Sequence, residues 1–413
     1  MPTLRPLTRA LVPVDSDAAQ KVSSPNYDEF QSDQEIFDLI QERPENVLRV
    51  TMAHCAVDNL DQAPEEGSDE ALAKSADEMQ LLRQSPLMKE VENVLWVYEI
   101  VSPLRPDKPQ LGVGGYGLTS EIRTEEQPEG TIIRNEGIRP EKAEGRARLL
   151  KAVNADFGTV NLAVRDDSGW LLKTLEEFTQ ANECDFEATD EGGNRHRSWM
   201  VTDPETQDRL IQLVGEQRAA YVADGNHRSA AAAQLGLDHF LTVFFSSGRL
   251  GLEPYNRLLP LNGVSPEEFL NKMNENFSVQ EMGECEPYRP DAPHRIGLYL
   301  GGKWYDLVPM RTSYDPTDAA QTIDADIIQR HVIDYILGMS DARDKRINYV
   351  GGNKDAAYLV GQVDSGKYDL AISLAPVTMM QFMAVCEQNK FMPPKSTWFD
   401  PKVRSGLAIA LLD

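Results

Sequence analysis

Apolar and polar positions along the chain alternate between a helical and a strand-like period. Residues 34–43 (Gln-Glu-Ile-Phe-Asp-Leu-Ile-Gln-Glu-Arg) have helical spacing, and Pro44 ends the helix they predict. Val47 to Thr51 reads as a short strand, and residues 58–79 are acidic and loop-like before giving way to a helix, the pattern of an insertion or mobile arm. Val94 to Val101 alternates like a strand, Pro103 to Pro109 turns, and Leu111 to Leu118 returns, so a hairpin is predicted. Pro140 to Ala152 is strongly helical; Val160 to Arg165 and Trp170 to Leu172 read as strands, and Asp203 to Glu216 as an amphipathic helix. Tyr221 to Ala223 reads as the end of a buried strand, and Phe240 to Ser246 as another buried strand. Beyond Leu250, strands at Ile296–Leu300, Lys303–Leu307 and Tyr368–Leu374 mix with helices around Ile327–Leu337 and Val377–Asn389. The pattern is α+β without a solenoid repeat. It divides into an N-terminal segment 1–92 that packs on the core, a core at 93–250 and a C-terminal α+β domain at 251–413.

Composition narrows the function classes. A chain of 413 residues has room for two or three domains. Its net charge of −25 argues against a nucleic-acid partner and against anionic membranes, though a local basic pocket remains open. Cys55, Cys184, Cys285 and Cys386 are widely separated and read as small hydrophobes in a reducing compartment. His54, His239, His294 and His331 lack metal-ligand spacing, which argues against a zinc site. No stretch has the apolar core of a signal peptide or membrane span, and the expectation is a cytoplasmic protein. Gly112-Val113-Gly114-Gly115-Tyr116-Gly117 matches the dinucleotide fingerprint in form only. The polar segment after it, with Pro128, is not a helix and cannot receive a pyrophosphate.

The richest stretch is Asp224-Gly225-Asn226-His227-Arg228-Ser229, set between that strand end and an alanine-rich helix. Strand, glycine turn and helix in this order gather backbone N–H groups, His227 and Arg228 at a helix N-terminus. Unpaired N–H groups, the positive dipole end and a guanidinium all favour an anion there. The other reading is a plain connection, with Asp224 as a helix cap. Upstream, Glu136 lies between Arg134 and Arg139, just before the helix opened by Pro140, with Arg146 further along.

The Asp-Gly-X-His-Arg turn, with its small residues and Leu235-Gly236, resembles the signature of the ParB/sulfiredoxin superfamily, which includes the free-serine kinases. Over nearly its full length the chain resembles a narrower family, domain of unknown function 1015 (DUF1015). The matching runs are Ser24-Pro25-Asn26-Tyr27-Asp28, Arg134 to Lys142 with Arg146, His196-Arg197-Ser198-Trp199, the Asp224 turn, Tyr255-Asn256-Arg257, Arg346 to Gly352, and Met392 to Lys402. The resemblance implies a ParB/sulfiredoxin-like catalytic core with a mixed sheet. It also implies a kinase acting on the hydroxyl of an amino acid, free L-serine, with ATP, ADP or pyrophosphate as donor and Mg²⁺ as cofactor.

In that scheme Glu136 takes the hydroxyl proton, and Gly225, Asn226, His227, Arg228 and Ser229 cradle the phosphates. Asp224 holds Mg²⁺ or orients the hydroxyl. Arg134, Arg139 and Arg146 clamp a substrate carboxylate, or else are solvated helix-face residues, and His196 contacts substrate or is structural. Lys395-Ser396-Thr397 and Lys402 close over the phosphates, or else form an ordered tail. Two positions depart from the relatives: Asn135 and Asn226 stand where histidines are usual. Asn226 also occupies the place of the reactive sulfiredoxin cysteine, which argues against that chemistry. The rival reading is a nucleotide-binding regulatory module, or slow nucleotide hydrolase, that switches a protein partner.

Overall fold

Trp96 and Gly114 face each other across two antiparallel strands, and this pairing shows how the glycine-rich run is used. The computed structural model describes residues 1–30, 32–283, 286–341, 344–352 and 354–412. In it a Cβ added at Gly114 would stand 1.3 Å from Nε1 of Trp96. The indole lies over bare backbone, is fully buried and stacks on Tyr98 with ring centroids 5.0 Å apart. The run therefore serves cross-strand packing of an aromatic residue, not a nucleotide. Gly114→Ala is expected to destabilise the fold by about 3 kcal/mol, because the indole has nowhere to retreat; an unchanged denaturation midpoint would refute this.

The fold is α+β, and the contacts group the chain into two compact units, 1–250 with 401–413, and 251–400. The last residues thus join the first unit, and residues 1–92 share its sheet, whereas the pattern suggested three consecutive segments.

In the first unit the main strands are β1 (Leu7–Pro13), β2 (Met88–Val101), β3 (Gln110–Leu118), β4 (Ile132–Ile133), β5 (Val160–Val164), β6 (Ala220–Asp224), β7 (His239–Ser246) and β8 (Ile409–Leu411). They run β4-β6-β5-β7-β3-β2-β1-β8, and Ala155–Asp156 extends the sheet beyond β8. The sheet is mixed: β7 runs parallel to β5 and antiparallel to β3, and β6 is antiparallel to β5. The interior strands β5, buried throughout, and β7, buried from Phe240 on, bring Val160, Leu162, Phe240 and Phe244 into one apolar cluster.

Four helices carry or flank the candidate residues: α1 (Asp33–Glu42), α2 (Asp69–Gln84), α3 (Pro140–Val153) and α4 (Asn226–Gln234). Pro140 opens α3 at a position where a missing N–H costs nothing. Its small residue Ala147, with Leu150, packs on Ala231 of α4. That contact sets the loop before α3 beside the turn before α4.

Several expectations fail for physical reasons. Residues 48–51 form a helical turn, not a strand; four apolar-rich residues carry no decisive period. Trp170 to Leu172 opens the helix Trp170–Ala181, whose Leu171 and Leu175 are buried four residues apart. Of residues 58–79, 58–68 are loop with a short 3₁₀ turn at Leu60–Gln62, while from Asp69 the chain is α2, which packs through Ala71 and Met79 and is not a loose arm. The helix expected around 327–337 does form, but it starts three residues earlier, as an α-helix, Asp324–Ile328, continued by a π-helix, Gln329–Asp334. Of the four cysteines, Cys55 and Cys386 are buried and Cys184 is half-buried, while Cys285 lies outside the described residues.

Candidate active site at the Asp224 turn

Gly225 has φ +100°, a left-handed conformation that side-chain-bearing residues rarely adopt. A Cβ there would also come within 3.2 Å of Val160 Cα. The glycine lets the chain leave β6 and enter α4 within one residue, and as N-cap it offers the first-turn N–H groups no side-chain acceptor. Those groups and the positive end of the helix dipole are the anion-favouring features of the turn.

The loop carrying Glu136 meets this turn. The Asn226 side-chain amide donates to Asn135 Oδ1 at 2.8 Å and reaches Glu136 Oε1 at 3.4 Å. The Arg139 backbone N–H donates to His227 Nε2 at 3.1 Å, so that nitrogen carries no proton and donation from the ring falls to Nδ1. Asn135, Glu136, Asn226 and His227 are thus brought together. The asparagines 135 and 226 bond to each other, which needs no titration. Asn226 Oδ1 and the Nε of Arg134 are buried without hydrogen-bond partners, and burial lowers the Arg134 pKa.

Asp224, Arg228 and Ser229 do other work than the sequence suggested. Arg228 is only 7% exposed; one end of its guanidinium donates to the Thr159 carbonyl and the other to Asp224 Oδ2. It is a brace between β5 and the turn, not an outward fork. Ser229 is fully buried; its hydroxyl donates to Asn226 O and its N–H to Gly225 O, so both donors serve the helix itself. Lys402 Nζ stands 3.6 Å from Asp224 Oδ1. Burial alone would raise the Asp224 pKa, but Lys402 and Arg228 outweigh it and hold the carboxyl well below its ordinary range. Both oxygens face cations, so the carboxylate orients Arg228 and Lys402 and does not fit a Mg²⁺ ligand.

Asn161, missed in the sequence, sits opposite Asp224 in the ladder, where β6 carries one extra residue, Ala223, before the pairing resumes at Leu162 and Val222. Its Oδ1 is buried without a hydrogen-bond partner. The signal was there: one asparagine in the otherwise apolar run Val160–Val164.

Other candidates lie elsewhere. His196 is fully buried between Tyr98 and Asp190. Arg404 N–H donates to the Tyr98 oxygen, Tyr98 O–H to His196 Nδ1, and His196 Nε2–H to Asp190, a chain that fixes a neutral ring. Burial lowers the His196 pKa against the opposing pull of Asp190. It is a structural histidine. His196→Ala should destabilise the fold by about 2–3 kcal/mol, by leaving the buried Tyr98 hydroxyl without its acceptor and opening a cavity beside it, and shift the denaturation midpoint accordingly.

Arg146 stacks on Tyr27, 3.2 Å above the ring centre, and lies 3.6 Å from Glu66. It lines a cavity of about 540 Å³ whose walls include none of residues 224–229. Lys395, Ser396 and Thr397 belong to the second unit. There the Lys395 carbonyl accepts from buried Arg257 at 3.1 Å, Lys395 Nζ lies 3.2 Å from the Tyr255 hydroxyl, and Ser396 Oγ donates to Pro393 O. The Tyr255-Asn256-Arg257 run thus holds the 393–397 loop in place.

Residues 4–332 match the family model described as protein of unknown function, DUF1015. The chain belongs to the DUF1015 family. No curated protein matches the sequence significantly. Among solved structures, the chain is similar to a free serine kinase in complex with AMP, with 11% identity, TM-score 0.38, and coverage of 67% of this chain and 89% of that one. SbnI with a C-terminal truncation, from Staphylococcus aureus, gives 12% identity, TM-score 0.37, and coverage of 69% and 85%. A conserved hypothetical protein from Pyrococcus furiosus gives 11%, 0.35, and coverage of 68% and 92%. Among the described residues, no helix is long and apolar enough to cross a membrane.

Proposed function

We propose that this DUF1015 member transfers a phosphoryl group to the hydroxyl of a small molecule, with free L-serine as acceptor and ATP, ADP or pyrophosphate as donor. The observation that carries the reading is the Asn226 amide, which sits in the first turn of α4 and reaches Glu136 at 3.4 Å. A carboxylate is thereby held at the mouth of an anion-favouring helix N-terminus. The motif resemblance to the free-serine kinases supplies the acceptor.

In this reading the N–H groups of Gly225, Asn226 and His227 receive the donor phosphates, and Lys402, held by Asp224, adds a positive charge. Glu136 takes the acceptor's hydroxyl proton as the oxygen–phosphorus bond forms and the bond to the leaving phosphate breaks. Arg134 and Arg139 orient the acceptor carboxylate. Arg228 and Asp224 act indirectly, by holding the turn. Any Mg²⁺ enters with the donor phosphates, and no residue of the turn is assigned to it.

The test is phosphorus NMR of the purified protein with Mg²⁺, L-serine and, in separate tubes, ATP, ADP or pyrophosphate. A phosphoserine resonance with one donor establishes the transfer and names the donor. Saturable nucleotide binding with no transfer to any added hydroxyl refutes the kinase and favours a regulatory module acting through a partner.

A further inference from the structure

Asp33 opens α1, while His54 and Cys55 close the short 3₁₀ turn Ala53–Cys55. Ile36 and Ile40 of α1 pack in one apolar cluster with Met52 and Cys55, which pins the start of the helix against that turn. A carboxylate oxygen, an imidazole nitrogen and a thiol sulfur consequently lie within 4.8 Å of one another. His54 Nε2 is 3.6 Å from Asp33 Oδ1, near the ~3.4 Å edge of a tetrahedron with metal–ligand bonds of ~2.0–2.1 Å.

An independent feature points to a ligand. His54 is 4% exposed, and its Nε2 is buried without a hydrogen-bond partner, facing the Asp33 carboxylate. Such a nitrogen is normally satisfied, by a donor, an acceptor or a metal. Asp33 and His54 also form part of the wall of the 540 Å³ cavity, together with Tyr27, Lys142 and Arg146, three residues of the matching runs to which the phosphoryl-transfer scheme gives no role.

We propose that Asp33, His54 and Cys55 form a binding site for a divalent transition metal of the zinc class, with its remaining coordination position turned to the cavity. The mixed oxygen, nitrogen and sulfur donor set selects Zn²⁺ or Co²⁺ over Mg²⁺ and Ca²⁺, which take oxygen ligands. On binding, the metal–sulfur bond replaces the Cys55 S–H bond and the proton leaves to solvent. The ion ties α1 to the 53–55 turn and offers the cavity a Lewis-acidic wall. Spacing along the chain could not show this, because the ligands come from two separate elements.

The experiment is titration of the full chain with Co²⁺, followed by visible and near-ultraviolet absorption. Saturation at one equivalent, with tetrahedral ligand-field bands and a thiolate-to-cobalt charge-transfer band, is expected. Cys55→Ser should remove the charge-transfer band, and His54→Gln should weaken binding by more than the roughly 10–100-fold cost of losing an outer-shell partner. Asp33→Asn sits on an exposed side chain and keeps the fold, as circular dichroism will verify, yet it should shift the ligand-field bands and lower affinity. A silent titration, a charge-transfer band that survives Cys55→Ser, or unchanged affinity in Asp33→Asn overturns the site.

Discussion

Glu136→Gln should lower phosphoryl transfer by about 10²–10⁴-fold, the usual contribution of a positioned general base, while leaving donor binding nearly intact. The substitution is informative because Gln keeps an Oε1 that can accept the Asn226 amide, so the turn retains its bond to the loop. What disappears is the capacity to take a proton. Single-turnover transfer and equilibrium nucleotide binding, measured on the same variant, separate the two effects. Loss of both together would mean that Glu136 holds the loop and does no proton transfer. Full activity would remove it from the chemistry altogether.

How far the sequence foretold this site depends on the distance over which each interaction is decided. The strand end, the Gly225 turn and the helix after it are local, and all three could be read from Tyr221 to Leu235. Glu136 and the helix opened by Pro140 were legible for the same reason. The direction in which Arg228 points was not. A guanidinium beside a glycine turn can face outward to an anion or inward to a carbonyl, and the deciding partner, Thr159, lies more than sixty residues away in the chain, just before β5.

Lys402 was visible as a lysine in a polar loop, but its pairing with Asp224 depends on the chain's return to the first unit after residue 400. His196 shows the converse problem. Its motif is conspicuous in the sequence, yet its partners, Tyr98 and Asp190, make it part of the interior. A polar residue type indicates what a side chain can do, and long-range packing decides whether solvent or substrate can reach it.

Asp224→Ala should destabilise the first unit by about 3–5 kcal/mol, the largest stability effect expected at the site. The carboxylate accepts the 2.5 Å bond from Arg228 and lies 3.6 Å from Lys402, so its removal leaves the buried Arg228 without its carboxylate, beside the half-buried Lys402. Adding Arg228→Met to Asp224→Ala should recover part of the loss, because an apolar side chain of similar length does not need the partner.

Acid supplies the independent check. The folded carboxyl titrates well below its unfolded value of about 3.9, because Lys402 and Arg228 overcome the opposing effect of burial. Between those two values the folded state binds fewer protons than the unfolded state, so stability rises with pH there. The contribution is fully present above the unfolded value and is lost as the pH falls toward the folded one. Amide protection in β6 and α4, measured from neutral pH downward, should therefore fall more steeply in the wild-type protein than in Asp224→Asn, and the two should converge in strong acid. Parallel curves would mean that the pair is worth nothing to the fold, and that the turn is held by Gly225 and the contacts between α3 and α4 alone.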